Sequence, residues 1–95
     1  MNTADKKRLR GLAHNLDPVV YIGKGLINTR VLAEIDSSLD HHELIKIKFN
    51  DGKEQKETLA KSIEEETKST LVGLIGNVAI FYRQQADKDK RKISI

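Results

Sequence analysis

Gly23-Lys24-Gly25 is the stretch of this sequence with the plainest chemistry. It follows a short apolar run and precedes Asn28 and Thr29, either of which can cap a helix. A helix start offers free backbone N–H groups and the positive end of the helix dipole, so the junction favours an anion. Glycine lets a phosphate approach the backbone, and Lys24 adds a mobile cation. Gly-x-x-x-x-Gly-Lys-Ser/Thr occurs nowhere, which excludes a nucleotide-binding P-loop and leaves one phosphate of a nucleic-acid backbone as the better-sized guest. A plain turn that needs glycine would read the same way. Gly25 is expected to supply any positive φ, with Leu26 and Ile27 packing onto the core.

Other constellations say less. Gly73-Leu74-Ile75-Gly76 has the outline of the Gly-x-x-Gly clamp of KH domains, but its apolar middle pair lies in a strand pattern and wants burial. His14, His41, His42 and Glu43 invite a metal or acid–base reading. Adjacent helical side chains diverge by about 100°, however, and the second histidine of His-Glu-x-x-His is missing, so helix-end or core-edge roles are expected. There is no cysteine, which rules out disulfides, zinc–thiolate sites and thiol nucleophiles and suits a reducing cytosol. Phe81-Tyr82-Arg83 closes a strand, where the tyrosine and arginine could stack on or pair with a base. Lys88-Asp89-Lys90-Arg91-Lys92 reads as a flexible cation cluster.

The elements that must position these groups follow from periodicity. Leu9, Leu12, Ala13 and Leu16 share one face of a helix from Thr3, its expected cap, to about Asn15; Asp17-Pro18 stops it. Val19-Val20-Tyr21-Ile22 reads as a buried strand. A second helix carries Val31, Leu32, Ile35 and Leu39 inward and fades near His41-His42. From Leu44 to Phe49 the pattern alternates, with Ile45, Ile47 and Phe49 on one face and Lys46 and Lys48 on the other. Asn50-Asp51-Gly52 turns into a third helix from about Glu54 to Lys68, and Gly76-Asn77 joins two final strands as a hairpin. The order is α-β-α-β-α-β-β: one compact α/β domain over residues 1–84 with three helices, a four-stranded mixed sheet and a basic tail at 85–95.

At 95 residues and 38% hydrophobic, the chain can build one small core with little to spare for an enclosed catalytic cavity. No apolar run approaches a membrane span and the N-terminus lacks an apolar signal region, so a soluble protein is expected. The net charge of +3 hides segregation. Residues 1–30 and 69–95 are cationic, while 31–68 hold six basic against ten acidic side chains. If the ends fold onto one side, that side can attract a polyanion.

Leu9-Arg10-Gly11-Leu12-Ala13-His14 and Leu16-Asp17-Pro18-Val19-Val20-Tyr21-Ile22-Gly23-Lys24 resemble the opening of the CRM domain family in its single-domain bacterial YhbY-type form. Val31–Ile35, His41–Lys48 and Ile75–Arg83 continue the resemblance in register, so it spans nearly the whole chain. It implies a fold akin to the C-terminal domain of translation initiation factor three. It also implies RNA binding without catalysis and, in bacteria, association with precursors of the large ribosomal subunit. The family's RNA-contacting loop is a Gly-x-x-Gly, usually continued by Leu-Thr. Here Gly23 and Lys24 match its start, Leu26 stands at the second glycine, and Ile27-Asn28 replaces Leu-Thr. Glu66-Thr67-Lys68 likewise stands where the family commonly has Thr-Gly.

The expectation is therefore a monomeric cytoplasmic RNA-binding protein, a ribosome-assembly factor and not an enzyme, with no cofactor, metal or small-molecule substrate. Gly23, Lys24 and Gly25 would contact phosphate, with Arg8, Arg10, Arg30, Lys46, Lys48 and Arg83 extending the surface. The alternative is a protein–protein adaptor docking on a ribosomal protein or translation factor through the acidic middle, with Glu64, Glu65 and Glu66 at the contact.

Overall fold

The computed structural model describes all 95 residues, in the order α1 (Thr3–Ala13), β1 (Val20–Ile22), α2 (Thr29–His42), β2 (Leu44–Phe49), α3 (Lys56–Thr67), β3 (Thr70–Ile75) and β4 (Val78–Tyr82). This is the α-β-α-β-α-β-β arrangement read from the sequence. The strands lie in the order β1-β2-β4-β3, with β1 parallel to β2 and β4 antiparallel to both its neighbours. The last strand thus fills the gap that the crossover through α3 leaves between β2 and β3. No helix is long and apolar enough to cross a membrane.

Period-two alternation sorts the sheet into two faces. Val20, Ile22, Ile45, Ile47, Phe49, Ala79 and Phe81 face α2 and α3, where Ile35, Leu39, Ala60 and Ile63 close the main core. On the opposite face Leu44, Val72, Ile80 and Tyr82 meet Leu9 and Ala13 of α1. That second cluster is smaller, with α1 the one helix on that face. Leu12 and Leu16, expected inward, remain 47% and 41% exposed: α1 ends at Ala13 and presents only the Leu9–Ala13 stripe to the sheet.

Several boundaries differ from the expectation for local reasons. Asn2, not Thr3, caps α1, its side chain accepting from the Asp5 amide at 2.8 Å. A single 3₁₀ turn at Lys53–Gln55 delays α3 to Lys56. The hairpin turn has Gly76 at φ +58° and Asn77 outside the left-handed region, the pattern of a type II′ turn. A bulge at Val72 shifts the register of β3, and Gly73 beyond it makes room for the Arg10 side chain, since a Cβ there would lie 2.8 Å from Arg10 Cδ.

The tail is the largest correction. Residues 85–95 are laid across the sheet end and not left as a loose cation cluster. The carboxylate of Glu43 accepts backbone N–H bonds from Gln85 (2.8 Å), Lys92 (2.6 Å) and Ile93 (3.0 Å). Ile93 packs on the α1-side core, and Arg8 of α1 donates to the Ser94 carbonyl.

Candidate nucleic-acid interface

β1 delivers the chain to the start of α2 through a turn in which the Leu26 amide donates to the Gly23 carbonyl at 2.9 Å. Leu26, not Gly25, carries the positive φ, at +51°. The position where the family favours glycine is therefore the one with left-handed backbone. Leucine is tolerated there because its side chain packs on the main core over Gly52, where an added Cβ would fall 2.8 Å from Leu26 Cδ2 and 2.9 Å from Leu59 Cδ1. Gly25 sits close to the cap, since a Cβ there would be 3.1 Å from Asn28 Nδ2. Gly23 has neither a left-handed φ nor a neighbour within 4 Å of a Cβ, so the fold itself gives no reason for glycine.

Asn28 caps α2, accepting from the Val31 amide at 2.9 Å. The amides of Thr29 and Arg30 have no intrahelical partner, as at any helix start, and the first turn holds no acidic side chain. Lys24 and Arg30 are exposed and form no ion pair, as does Lys48 near the end of β2. The start of α2 thus gathers free amides and cations that are in no ion pair.

The other expected contacts are spent to different degrees. Lys46 Nζ donates to the His14 carbonyl at 3.2 Å and ties the end of α1 to β2. Arg10 Nη1 donates to the Val72 carbonyl at 2.8 Å, and Arg8 holds Ser94. These three keep their charges near the surface but are engaged with backbone. Arg83 is removed from the open surface. It pairs with Asp36 at 2.5 Å and Asp40 at 2.8 Å, and also donates to the carbonyls of Thr67 and Asp36. Phe81 and Tyr82 are 0% and 5% exposed, which closes the expected base contact at the end of β4.

Two residues escaped the sequence reading. Tyr21, in a run whose composition reads as a buried strand, is 54% exposed; the alternation Val20-Tyr21-Ile22 is the signal for it. Glu43, taken as a helix-end residue, is the buried anchor of the tail. Burial alone would push its carboxyl up, but the amides of Gln85, Lys92 and Ile93 and the charge of Arg91 outweigh that and hold it below the ordinary carboxylate range. Burial, and then the field of Glu43, push the Tyr82 phenol up. The three histidines join no group of side chains able to hold a metal ion.

Folding converts the charge blocks into sides. α1 brings Lys6, Lys7, Arg8 and Arg10 to one face of the sheet, with the tail beside it. α2 and α3 place Glu34, Asp36, Asp40, Glu57 and Glu64–Glu66 on the other. Part of that acidity is internal: Glu64 accepts from the Leu71 amide at 2.6 Å and Asp36 and Asp40 hold Arg83.

The CRS1/YhbY (CRM) domain model matches residues 1–83. An RNA-binding protein of Haemophilus influenzae is 43% identical over 84 residues, covering 87% of this chain and 85% of its own. "Probable RNA-binding protein YqeI" of Bacillus subtilis is 33% identical over 97 residues, covering 100% and 99%. The solution structure of SAV1595 from Staphylococcus aureus superposes with a TM-score of 0.82 at 36% identity, over 99% of each chain. In sequence and in fold alike, this chain belongs to the CRS1/YhbY (CRM) domain family.

Proposed function

We propose that this protein binds RNA without catalysis, gripping backbone phosphate at the start of α2, and acts as a monomeric cytoplasmic factor in assembly of the large ribosomal subunit. The observation that carries the reading is Lys24, unpaired beside a glycine that the fold does not require, at a helix start with no acidic residue in its first turn. The amides of Thr29 and Arg30 take the phosphate oxygens, Lys24 and Arg30 supply charge, and Lys46, Lys48, Arg8 and Arg10 continue the cationic side along the duplex or strand. Relatives named as an RNA-binding protein, at 43% identity, and as a "Probable RNA-binding protein", at 33%, support the partner class.

With roughly four to six phosphates contacted, log affinity falls against log salt with a slope of about −3 to −5. The protein co-sediments with large-subunit precursors and not with translating ribosomes. Recovery only among free proteins at low salt overturns the assembly role. A slope near zero with tight binding overturns phosphate contact and favours docking through the exposed acids of α2 and α3.

A further inference from the structure

The α1 side of the sheet is only half covered. α1 packs over Leu44, Val72, Ile80 and Tyr82, towards the end of the sheet where β2 begins. Beyond it one register row crosses all four strands. Tyr21 pairs with Lys48, Lys48 with Val78, and Val78 with Ile75. Paired residues point to the same face, so these side chains stand side by side. Tyr21 is 54% and Ile75 63% exposed, the two most open large apolar side chains in the chain. Neither this row nor the next, which holds Lys46, Ile80 and Gly73, contains an acidic residue.

We infer that this open row is a stacking platform for an unpaired base of single-stranded RNA, with Tyr21 beneath the base and Lys48 and Lys24 against its flanking phosphates. The inference rests on the RNA-binding reading above and adds the form of RNA that is recognised. Tyr21 offers a π-face, which any base can stack on, and its register partner is a cation, which any phosphate can pair with. Lys24 lies three residues along the chain from Tyr21, within about 11 Å, on the strand's continuation. A protein partner fits the row less well. Lys48 stands between Tyr21 and Val78, and a dry protein contact would bury that ammonium unpaired, whereas RNA brings its own anion.

The test uses tyrosine fluorescence, because the chain has two tyrosines and no tryptophan. Tyr82→Phe removes a buried hydroxyl that has no hydrogen-bond partner and leaves Tyr21 as the reporter. In that background a short oligouridylate and an RNA duplex of equal length are titrated at one low salt concentration. Oligouridylate is expected to quench Tyr21. For the variants that lose this reporter, affinity is read from the anisotropy of the same two RNAs carrying a terminal fluorescein: Tyr21→Ala is expected to weaken oligouridylate binding about 10-fold and duplex binding less than about twofold, while Tyr21→Phe keeps both, as loss or retention of one base–aromatic stack requires. Unchanged oligouridylate affinity in Tyr21→Ala, or equal losses for both RNAs, overturns the platform. If Lys24→Ala still weakens both RNAs, the phosphate reading survives that failure; if the parent binds neither RNA, both readings fall.

Discussion

The two ends of α2 are built on opposite terms. At its C-terminal end almost every polar group has found a partner inside the molecule. Glu43 takes three tail amides, Arg83 takes Asp36, Asp40 and the Thr67 carbonyl, and Lys92 Nζ donates to the His41 carbonyl at 3.0 Å. At its N-terminal end Asn28 satisfies one amide, and the nearby cations of Lys24 and Arg30 pair with nothing. Both ends contain a non-glycine residue at positive φ, Leu26 at +51° and Glu43 at +62°. Glu43 is held there by hydrogen bonds and Leu26 by packing. Polar capacity spent internally stabilises the fold, and capacity left unspent is available to a ligand. The family model matches residues 1–83 and so contains the loop and Glu43, while the Bacillus subtilis relative and the SAV1595 structure align over 100% and 99% of this chain, the tail included.

The largest expected effect is at the spent end. Glu43→Ala removes a buried carboxylate that takes three amides of a strap whose own residues are half-buried or exposed, and should destabilise by about 2–4 kcal/mol. Denaturant midpoints measure the loss, and the freed tail should become sensitive to trypsin at Arg91 and Lys92. The pH dependence has a definite sign. A carboxyl held below its ordinary value contributes stability that is full above the unfolded value and lost as pH falls through the folded one. The parent should therefore lose stability in that acid window, and Glu43→Gln should lose less of it. An unchanged midpoint for Glu43→Ala would show that the strap is not held by this carboxylate.

The unspent end should behave the other way round. Lys24→Ala should leave the denaturant midpoint unmoved, since the side chain is exposed and unpaired. RNA affinity should fall by about 1 kcal/mol or more, the loss of one charge-assisted contact. Gly23→Ala sharpens the contrast, because its Cβ would meet nothing in the fold. Stability should hold or rise by up to about 1 kcal/mol through the unfolded chain, while RNA affinity drops if phosphate approaches that backbone. Equal RNA affinities for parent and both variants would remove the loop from the interface.

How much of this was legible beforehand depended on how local the cause was. Element order follows from the periods of Ile45-Lys46-Ile47-Lys48-Phe49 and of Ile35 and Leu39, which need only near neighbours. A cap at Asn28 or Thr29, which proves to be Asn28, and the Gly76-Asn77 turn were legible for the same reason. The exposure of Leu12 and Leu16 was not, because it depends on how far α1 extends over a sheet assembled from distant strands. The tail was misread because its charges suggest solvent, whereas its anchor is a carboxylate some fifty residues earlier in the chain, Glu43 to Ile93. Arg83 was misplaced likewise: its basicity was visible, but not that Asp36 and Asp40 would face it. Lys24 kept its expected setting because strand end, glycine, lysine and cap are all contiguous.

The smallest effects come from the positions where the family favours glycine. Lys68 has φ +55° at the end of α3 and is exposed, its amide donating to the Glu64 carbonyl as a left-handed C-terminal cap does. Nothing visible offsets the crowding of its Cβ against the carbonyl, so Lys68→Gly should stabilise by about 0.5–1 kcal/mol. Leu26 has the same backbone and a different balance. Leu26→Gly relieves about 1 kcal/mol of the same strain but removes a half-buried side chain packed on the main core over Gly52, worth about as much or more. The net change should be between zero and about 1 kcal/mol of destabilisation, opposite in sign to Lys68→Gly. Paired thermal melts of the two variants decide it. If both stabilise equally, Leu26 contributes no packing and the loop is held by its backbone alone. If Leu26→Gly destabilises while leaving RNA affinity intact, the leucine is a substitute for glycine that keeps the phosphate site by clamping the turn onto the core.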